Sequence, residues 1–350
     1  MRPADFDFDL PPGQIAQHPA TVRGAARMLV LEGSAMTHSR ASSLPTHLPA
    51  DALVVVNDSR VVPARLHVTC TEGKARGRRL ELLVCDPRPG AGPGAQIRAW
   101  VRGARRLAEG DVLTVGELAL RHLGRPEDAD RDPRARLFEV TGGELLPALE
   151  AAGEVPLPPY IERPADEDDR DRYQTVYARA PGSVAAPTAG LHWDAALLAS
   201  LDTVAITLHV GPGTFLPMEV DDITAHKIAP ERVEIDEAAA ARIRDAQARG
   251  RPIVAVGTTA TRALEAVAKA RGEVTPYDGP VDLVVRPGHR FRVVDRLVTN
   301  FHLPRSSLLM LVCSFGGRER VLAGYREAVT AGYRFYSYGD CMLVDRASDR

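Results

Sequence analysis

The chain has 350 residues, 45% of them apolar and 26% charged, a composition that supports a substantial core and excludes wholesale disorder. Lys+Arg number 44 against 46 Asp+Glu, a net charge of -2, so the molecule is not a polycation built to coat nucleic acid, and any RNA-facing surface must be local. Cys70, Cys85, Cys313 and Cys341 are scattered, without a C-x-x-C pair or zinc-finger spacing, which predicts reduced thiols and no metal.

The N-terminus, rich in aspartate at Asp5, Asp7 and Asp9, has no apolar run long enough for a secretory leader. The longest apolar stretch, residues 308–313, falls far short of the roughly 20 needed to cross a bilayer. A cytoplasmic protein away from membranes is the expectation.

The length exceeds the usual size of a single core without fixing a domain count, and two domains is the starting expectation. In chain order, the β-branched run at residues 51–57 reads as a core strand buried on both faces of a parallel sheet. From Val61 to about Val140 the pattern changes to short strands, such as 78–84, 96–101, 112–115 and 136–140, separated by Gly, Pro and Asp-rich turns. That spacing predicts a small barrel or sandwich. Residues 60–136 carry 16 Lys+Arg and 10 Asp+Glu, a local +6 against -8 elsewhere.

A helix is predicted over 144–152, ending at Gly153, and Val155-Pro-Leu-Pro-Pro-Tyr160 reads as an extended connector. Strands and helices then alternate: strand 204–210, helix 237–249, strand 253–257, helix 261–271, strand 293–298 and two further helices. The expected fold is therefore a mixed α/β domain, discontinuous over residues 1–60 and 156–350, with a small β-barrel inserted at 61–155.

Six loop elements concentrate reactive residues, and strand ends are where α/β proteins place ligands. Asn57-Asp58-Ser59-Arg60 follows the buried strand directly; it suits an anion clamp or a plain Asx-turn. The segment Ala186-Pro187-Thr188-Ala189-Gly190-Leu191-His192-Trp193-Asp194 offers a histidine and an aromatic ring, with Asp194 available as a helix cap. His209 precedes Gly211-Pro212-Gly213-Thr214-Phe215, which lacks the third glycine of a dinucleotide fingerprint. Gly257-Thr258-Thr259-Ala260-Thr261-Arg262 joins a strand to a helix, a place where free N–H groups and hydroxyls bind anions. Thr299-Asn300-Phe301-His302-Leu303-Pro304-Arg305-Ser306-Ser307 leaves another strand and enters a helix, offering an amide, an aromatic ring, an imidazole and hydroxyls, and Tyr336-Ser337-Tyr338-Gly339-Asp340 adds phenols and a carboxylate. Each alone has a structural explanation; six together favour an elaborate small-molecule site.

These elements resemble, in order and over almost the whole chain, the S-adenosylmethionine:tRNA ribosyltransferase-isomerase family of queuosine biosynthesis. The resemblance rests on Phe6-Asp7-Phe8-Asp9-Leu10-Pro11, Leu157-Pro158-Pro159-Tyr160-Ile161, Tyr173-Gln174-Thr175-Val176-Tyr177, Leu208-His209-Val210-Gly211 with Gly213-Thr214-Phe215, Val256-Gly257-Thr258-Thr259, and Val298-Thr299-Asn300-Phe301-His302-Leu303-Pro304, together with the loop ending at His192. It implies an enzyme that moves and isomerises the ribosyl part of S-adenosylmethionine onto 7-aminomethyl-7-deazaguanine at the wobble position of a tRNA with a GUN anticodon. Epoxyqueuosine forms, and adenine and methionine leave. A monomer is expected, using S-adenosylmethionine as substrate and no metal.

A sulfonium acidifies the neighbouring C5′ hydrogen, so a positioned base could begin that rearrangement. His192, His209 and His302 are the candidates in that order, with Asp58 and Asp340 as carboxylate alternatives or orienting partners. Arg60, Arg262 and the amides near Thr258 and Thr259 are expected to hold carboxylate or phosphate, and Phe215, Trp193 and Phe301 to stack bases. Asn57, Ser59, Thr188, Gly190, Gly211, Gly213, Thr214, Gly257, Asn300 and Tyr338 complete the expected binding set.

Three positions depart from the family pattern: Ala229 stands where a second histidine is expected, Trp193 where phenylalanine is usual, and Pro212 where alanine is common. Other readings are a relative ribosylating a free small molecule, a passive tRNA-binding module, and a methyltransferase; the last lacks the expected glycine-rich turn and acidic ribose clamp.

Overall fold

The computed structural model describes residues 1–347. Nine strands form one mixed sheet in the order Tyr277–Val281, Glu231–Ile235, Thr203–Leu208, Leu53–Asn57, Ile253–Val256, Arg296–Asn300, Cys341–Asp345, Arg27–Glu32 and Ala35–Arg40. Leu53–Asn57 runs parallel to both neighbours, Thr203–Leu208 and Ile253–Val256, and all its residues are buried. An unbroken run of valines without polar alternation suits a strand covered on both faces. Its side chains divide by parity: Leu53 and Val55 enter the main core, while Val54 and Val56 pack on the other face with Trp193 and Met28.

The main core also takes the inner faces of helices Glu237–Ala248, Gly257–Arg271, Ser307–Gly316 and Arg318–Thr330, through residues such as Ile243, Leu264, Val312 and Tyr325. The four central strands run parallel, and antiparallel pairs occur toward both margins, where Cys341–Asp345 and Arg27–Glu32 add one further parallel pair. The fourth predicted strand, at 293–298, forms three residues further on, at Arg296–Asn300, because Val293 and Val294 give their N–H groups to the buried Glu265 carboxylate instead of a ladder.

Six further strands, Arg65–Glu72, Arg79–Val84, Gln96–Arg102, Val112–Val115, Leu118–Gly124 and Ala135–Gly142, pair antiparallel in a closed ring. Ala135–Gly142 completes it by bonding to both Gln96–Arg102 and Leu118–Gly124. Closure leaves no strand edge exposed. Alternate residues fill its interior, among them Leu66, Val68, Leu82, Val84, Leu120 and Phe138.

Helix Leu145–Ala152 joins that interior through Leu145 and Leu149. The chain then turns at Gly153, where a Cβ would lie 1.9 Å from the Pro63 carbonyl oxygen, so only glycine fits. Arg65 and Glu154 form a bridge there, tying the outgoing connector to the first ring strand.

Candidate functional site

The loops at the carboxyl ends of the central strands converge on a small cavity of about 70 Å³. Its walls include Thr188, Phe215, Gly257, Thr258, Thr259, Asn300 and His302, so five of the six flagged loops contribute once Tyr336 and Ser337 are added. Crevices outside the carboxyl ends of sheet strands are the general ligand position in such folds.

One wall is the start of helix Gly257–Arg271, which begins four residues earlier than its apolar periodicity predicts. Gly257 makes this possible by adopting φ 94°, turning the strand directly into the helix. No side chain caps this helix. Its first N–H groups and positive dipole end therefore face the cavity, an arrangement that attracts an anion. The Thr259 hydroxyl beside them is buried, with no hydrogen-bond partner among the described residues.

The opposite wall is built by Asn300 and the turn through Tyr336 and Ser337. The Asn300 amide nitrogen donates to the Tyr336 carbonyl at 3.0 Å and meets His192 Nε2 at 3.1 Å, leaving its own oxygen buried and unpartnered. Tyr336 holds φ 73°, a left-handed conformation costly for an aromatic residue, and its N–H donates to the Phe301 carbonyl. Tyr160 stacks at 4.2 Å on Tyr336 and its hydroxyl bonds Ser337 at 2.7 Å, so the connector after the ring braces this wall.

His302 is the histidine that lines the cavity. Its Nε2 lies 2.7 Å from the Thr299 hydroxyl, and desolvation lowers its pKa to about 3. His192 lies behind Asn300; burial first, then the positive charges of Arg334 and Arg23, lower its pKa to about 4. Both rings are neutral near pH 7, so His192 Nε2 accepts from the Asn300 amide.

A larger cavity of about 380 Å³ adjoins the first, and Thr214 and Leu308 line both. Gly211, Gly213 and Ala229 border it, with Cys85 and Asp128 of the ring on the far side. Arg262 projects here from the second turn of its helix. Its Nη1 lies 2.5 Å from Glu231, whose other oxygen accepts the Gly211 N–H at 3.0 Å, and its Nε donates to the Leu283 carbonyl. The glycine turn is thus held to the helix through a buried ion pair.

The remaining predicted residues have partners within the fold. Asn57 accepts from the N–H groups of Leu208 and Ser59 and donates to the Leu208 carbonyl, locking two central strands. Asp58 accepts from Thr207 at 2.6 Å and pairs with Arg179 at 2.8 Å. Ser59 is buried in a short strand pairing with Ala180–Ser183, and Arg60 is half-exposed, 2.9 Å from Glu150. None of these four lines either cavity.

Asp340 accepts backbone N–H groups from Arg27 and Arg334, both at 2.8 Å, so each of its oxygens tethers the chain. Trp193 and Phe301 are fully buried; Trp193 meets Tyr177 edge-on, and Phe301 sits among Tyr325, Tyr333 and Phe335. Neither ring has a face free for a base. Gly190 gives room for the Tyr177 hydroxyl, which would lie 1.9 Å from a Cβ there. Tyr338 donates to the buried Asp169 at 2.6 Å, in a minor crevice beside His192. His209, 3.7 Å from Glu234 and packed on Gly182, lies outside both cavities, and burial lowers its pKa.

Tyr160, Ser306, Ser337 and Glu231 were absent from the expected set. Tyr160, Ser306 and Ser337 lie in segments the sequence singles out, whereas Glu231 gains its place through Arg262, 31 positions away. Among the described residues, no cluster of three His, Cys, Asp or Glu side chains has metal-holding geometry.

The model of the family described as "Queuosine biosynthesis protein" matches residues 3–344. The chain belongs to that family. It is 51% identical to an S-adenosylmethionine:tRNA ribosyltransferase-isomerase of Anaeromyxobacter dehalogenans strain 2CP-C, over 99% of this chain and 100% of the relative. A protein of the same description from Methylobacterium radiotolerans is 47% identical, over 98% of each. The crystal structure of S-adenosylmethionine tRNA ribosyltransferase from Thermotoga maritima is similar with a TM-score of 0.53 and 31% identity, covering 97% of this chain and 99% of that one. No described helix is long and apolar enough to cross a membrane.

Proposed function

We propose that this chain transfers and isomerises the ribosyl moiety of S-adenosylmethionine onto 7-aminomethyl-7-deazaguanine at the wobble position of a tRNA with a GUN anticodon, releasing adenine and methionine. Full-length relatedness to proteins of that description supports the reaction. The observation that carries its location is the meeting of Thr188, Thr258, Thr259, Asn300 and His302 around one cavity.

In this reading residues 1–60 and 156–350 form the catalytic domain, and 61–155 a β-barrel inserted in it. The donor lies across the two adjoining cavities, its carboxylate at the uncapped helix start by Thr258 and Thr259 or on Arg262, and Phe215 stacks against a base. His302, neutral at working pH, removes the C5′ proton that the sulfonium acidifies. The positive charge on sulfur lies within the donor, so the step needs no metal. His192 holds the Asn300 amide in place behind the cavity. The protein acts as a cytoplasmic monomer, where tRNA and donor are available.

The test is to incubate the protein with labelled S-adenosylmethionine and tRNA carrying the deazaguanine, then to analyse nucleosides and released adenine by mass spectrometry. Epoxyqueuosine with equimolar adenine is expected, and His302→Gln should abolish both. Methylated RNA indicates a methyltransferase, adenine without modified tRNA a small-molecule acceptor, and tRNA binding with intact donor a passive module; each refutes the proposal.

A further inference from the structure

A third concavity, open and about 960 Å³ in volume, lies between the outer face of the ring and the connector that follows it. Arg65, Arg102, Arg134, Arg136 and Arg163 line it against two glutamates, Glu81 and Glu154. Arg163 is taken up by the buried Asp169 at 2.7 Å and by Asp166, so the charge offered to a ligand rests on the other four arginines. Glu81 is shared by Arg65 and Arg102 at 3.7 Å each, and the Arg102 side chain is 84% exposed. Arg134 is half-exposed and meets only the solvent-exposed Glu219, at 3.7 Å, and Arg136 has no carboxylate within ion-pair distance among the described residues. The adjoining shallow face adds Arg79, Arg105 and Arg106, likewise without ion pairs there.

Aromatic surface accompanies the charge. Trp100, held by its indole N–H to Asp132 at 2.7 Å, lines the groove with the Arg134 guanidinium 5.5 Å from its ring. At the far end stands Phe215, which also borders the 70 Å³ cavity and touches the apolar cores of both the ring and the sheet. The connector spans the same two places, with Leu157 and Pro158 in the groove and Tyr160 at the cavity.

We infer that this groove is the track for the anticodon-loop strand of the RNA, leading the backbone across Arg102 and Arg134 and delivering one nucleotide past Phe215 into the cavity. A positive groove with interspersed aromatic rings is the general means of holding unpaired nucleic acid. A wobble base, already in a loop, needs less unstacking to enter a pocket than a base in a duplex. The arginines hold phosphates and Trp100 stacks a neighbouring base, so the groove supplies affinity and register while the cavity selects the base. This rests on the tRNA reading above and specifies its surface.

The experiment measures binding of precursor tRNA by fluorescence anisotropy across a salt series, with steady-state turnover in parallel, for the full chain and for Arg102→Glu/Arg134→Glu. The expected result is at least tenfold weaker binding, a raised KM for tRNA with kcat retained, and a salt slope flatter by about 1.4 for two lost contacts to a single strand. Arg271→Glu, on an exposed helix end away from the groove, should change none of these. If the double charge reversal disturbs the circular dichroism spectrum, Arg102→Gln/Arg134→Gln replaces it, with the same flattened slope expected. Parent-like binding and slope in a folded double variant, or equal weakening by Arg271→Glu, overturns the inference and leaves the reaction standing. Absence of both tRNA binding and turnover in the parent refutes the functional proposal itself.

Discussion

His192→Gln should remove a specific part of the acid sensitivity of folding. His192 is buried, and its pKa falls from 6.5 to about 4, chiefly because burial penalises the imidazolium, with Arg334 and Arg23 adding repulsion. Since the folded value lies below the unfolded one, the unfolded chain binds the proton first as pH drops. The associated stability is fully present above pH 6.5 and is lost as pH falls toward 4. The linkage relation gives a loss of about 2 kcal/mol between pH 7 and pH 5, growing to about 3 kcal/mol at pH 4. Glutamine cannot titrate, yet its carbonyl oxygen can accept the Asn300 amide in place of Nε2. Urea unfolding of parent and variant at pH 7 and pH 5 isolates the residue, because other groups titrate alike in both. The parent should lose about 2 kcal/mol more than the variant. Equal losses would refute the claim that this ring is held neutral by its surroundings.

Three other substitutions test separate parts of the site. Thr259→Val removes a buried hydroxyl that has no protein partner, so denaturant stability should hold or rise while calorimetric affinity for S-adenosylmethionine falls about tenfold. Arg262→Met leaves Glu231 buried without its cation and should cost about 3–5 kcal/mol in unfolding free energy, with Arg262→Met/Glu231→Gln recovering most of it. Gly182→Ala sets a Cβ 2.7 Å from His209 Nδ1 at a backbone φ of 144°, and should lower stability by about 1–3 kcal/mol in the same measurement.

The sequence by itself determined the elements whose information is local. The valine run of Leu53–Asn57 announced a strand buried on both faces, the regular short strands between Val61 and Val140 announced a separate antiparallel unit, and the helix–strand rhythm after residue 200 announced an α/β sheet. Strands such as Glu231–Ile235 and Ala35–Arg40 escaped because they lie toward the sheet margins, where solvent-facing polar residues dilute the apolar pattern.

The family motifs likewise pointed to loops of which five meet around one cavity, while leaving each side chain's direction undecided. Asn57, Asp58, Asp340, Trp193 and Phe301 look chemically able in one dimension, yet their polar atoms close backbone gaps or their rings fill cores. Only the tertiary structure distinguished them from His302 and Thr259, because whether a group can meet a ligand depends on partners hundreds of positions away. The same long-range geometry united Arg262 with Glu231 and ran a charged groove from the ring to Phe215. Local sequence sets what a residue is able to bond; the packed chain sets which of those bonds are already taken.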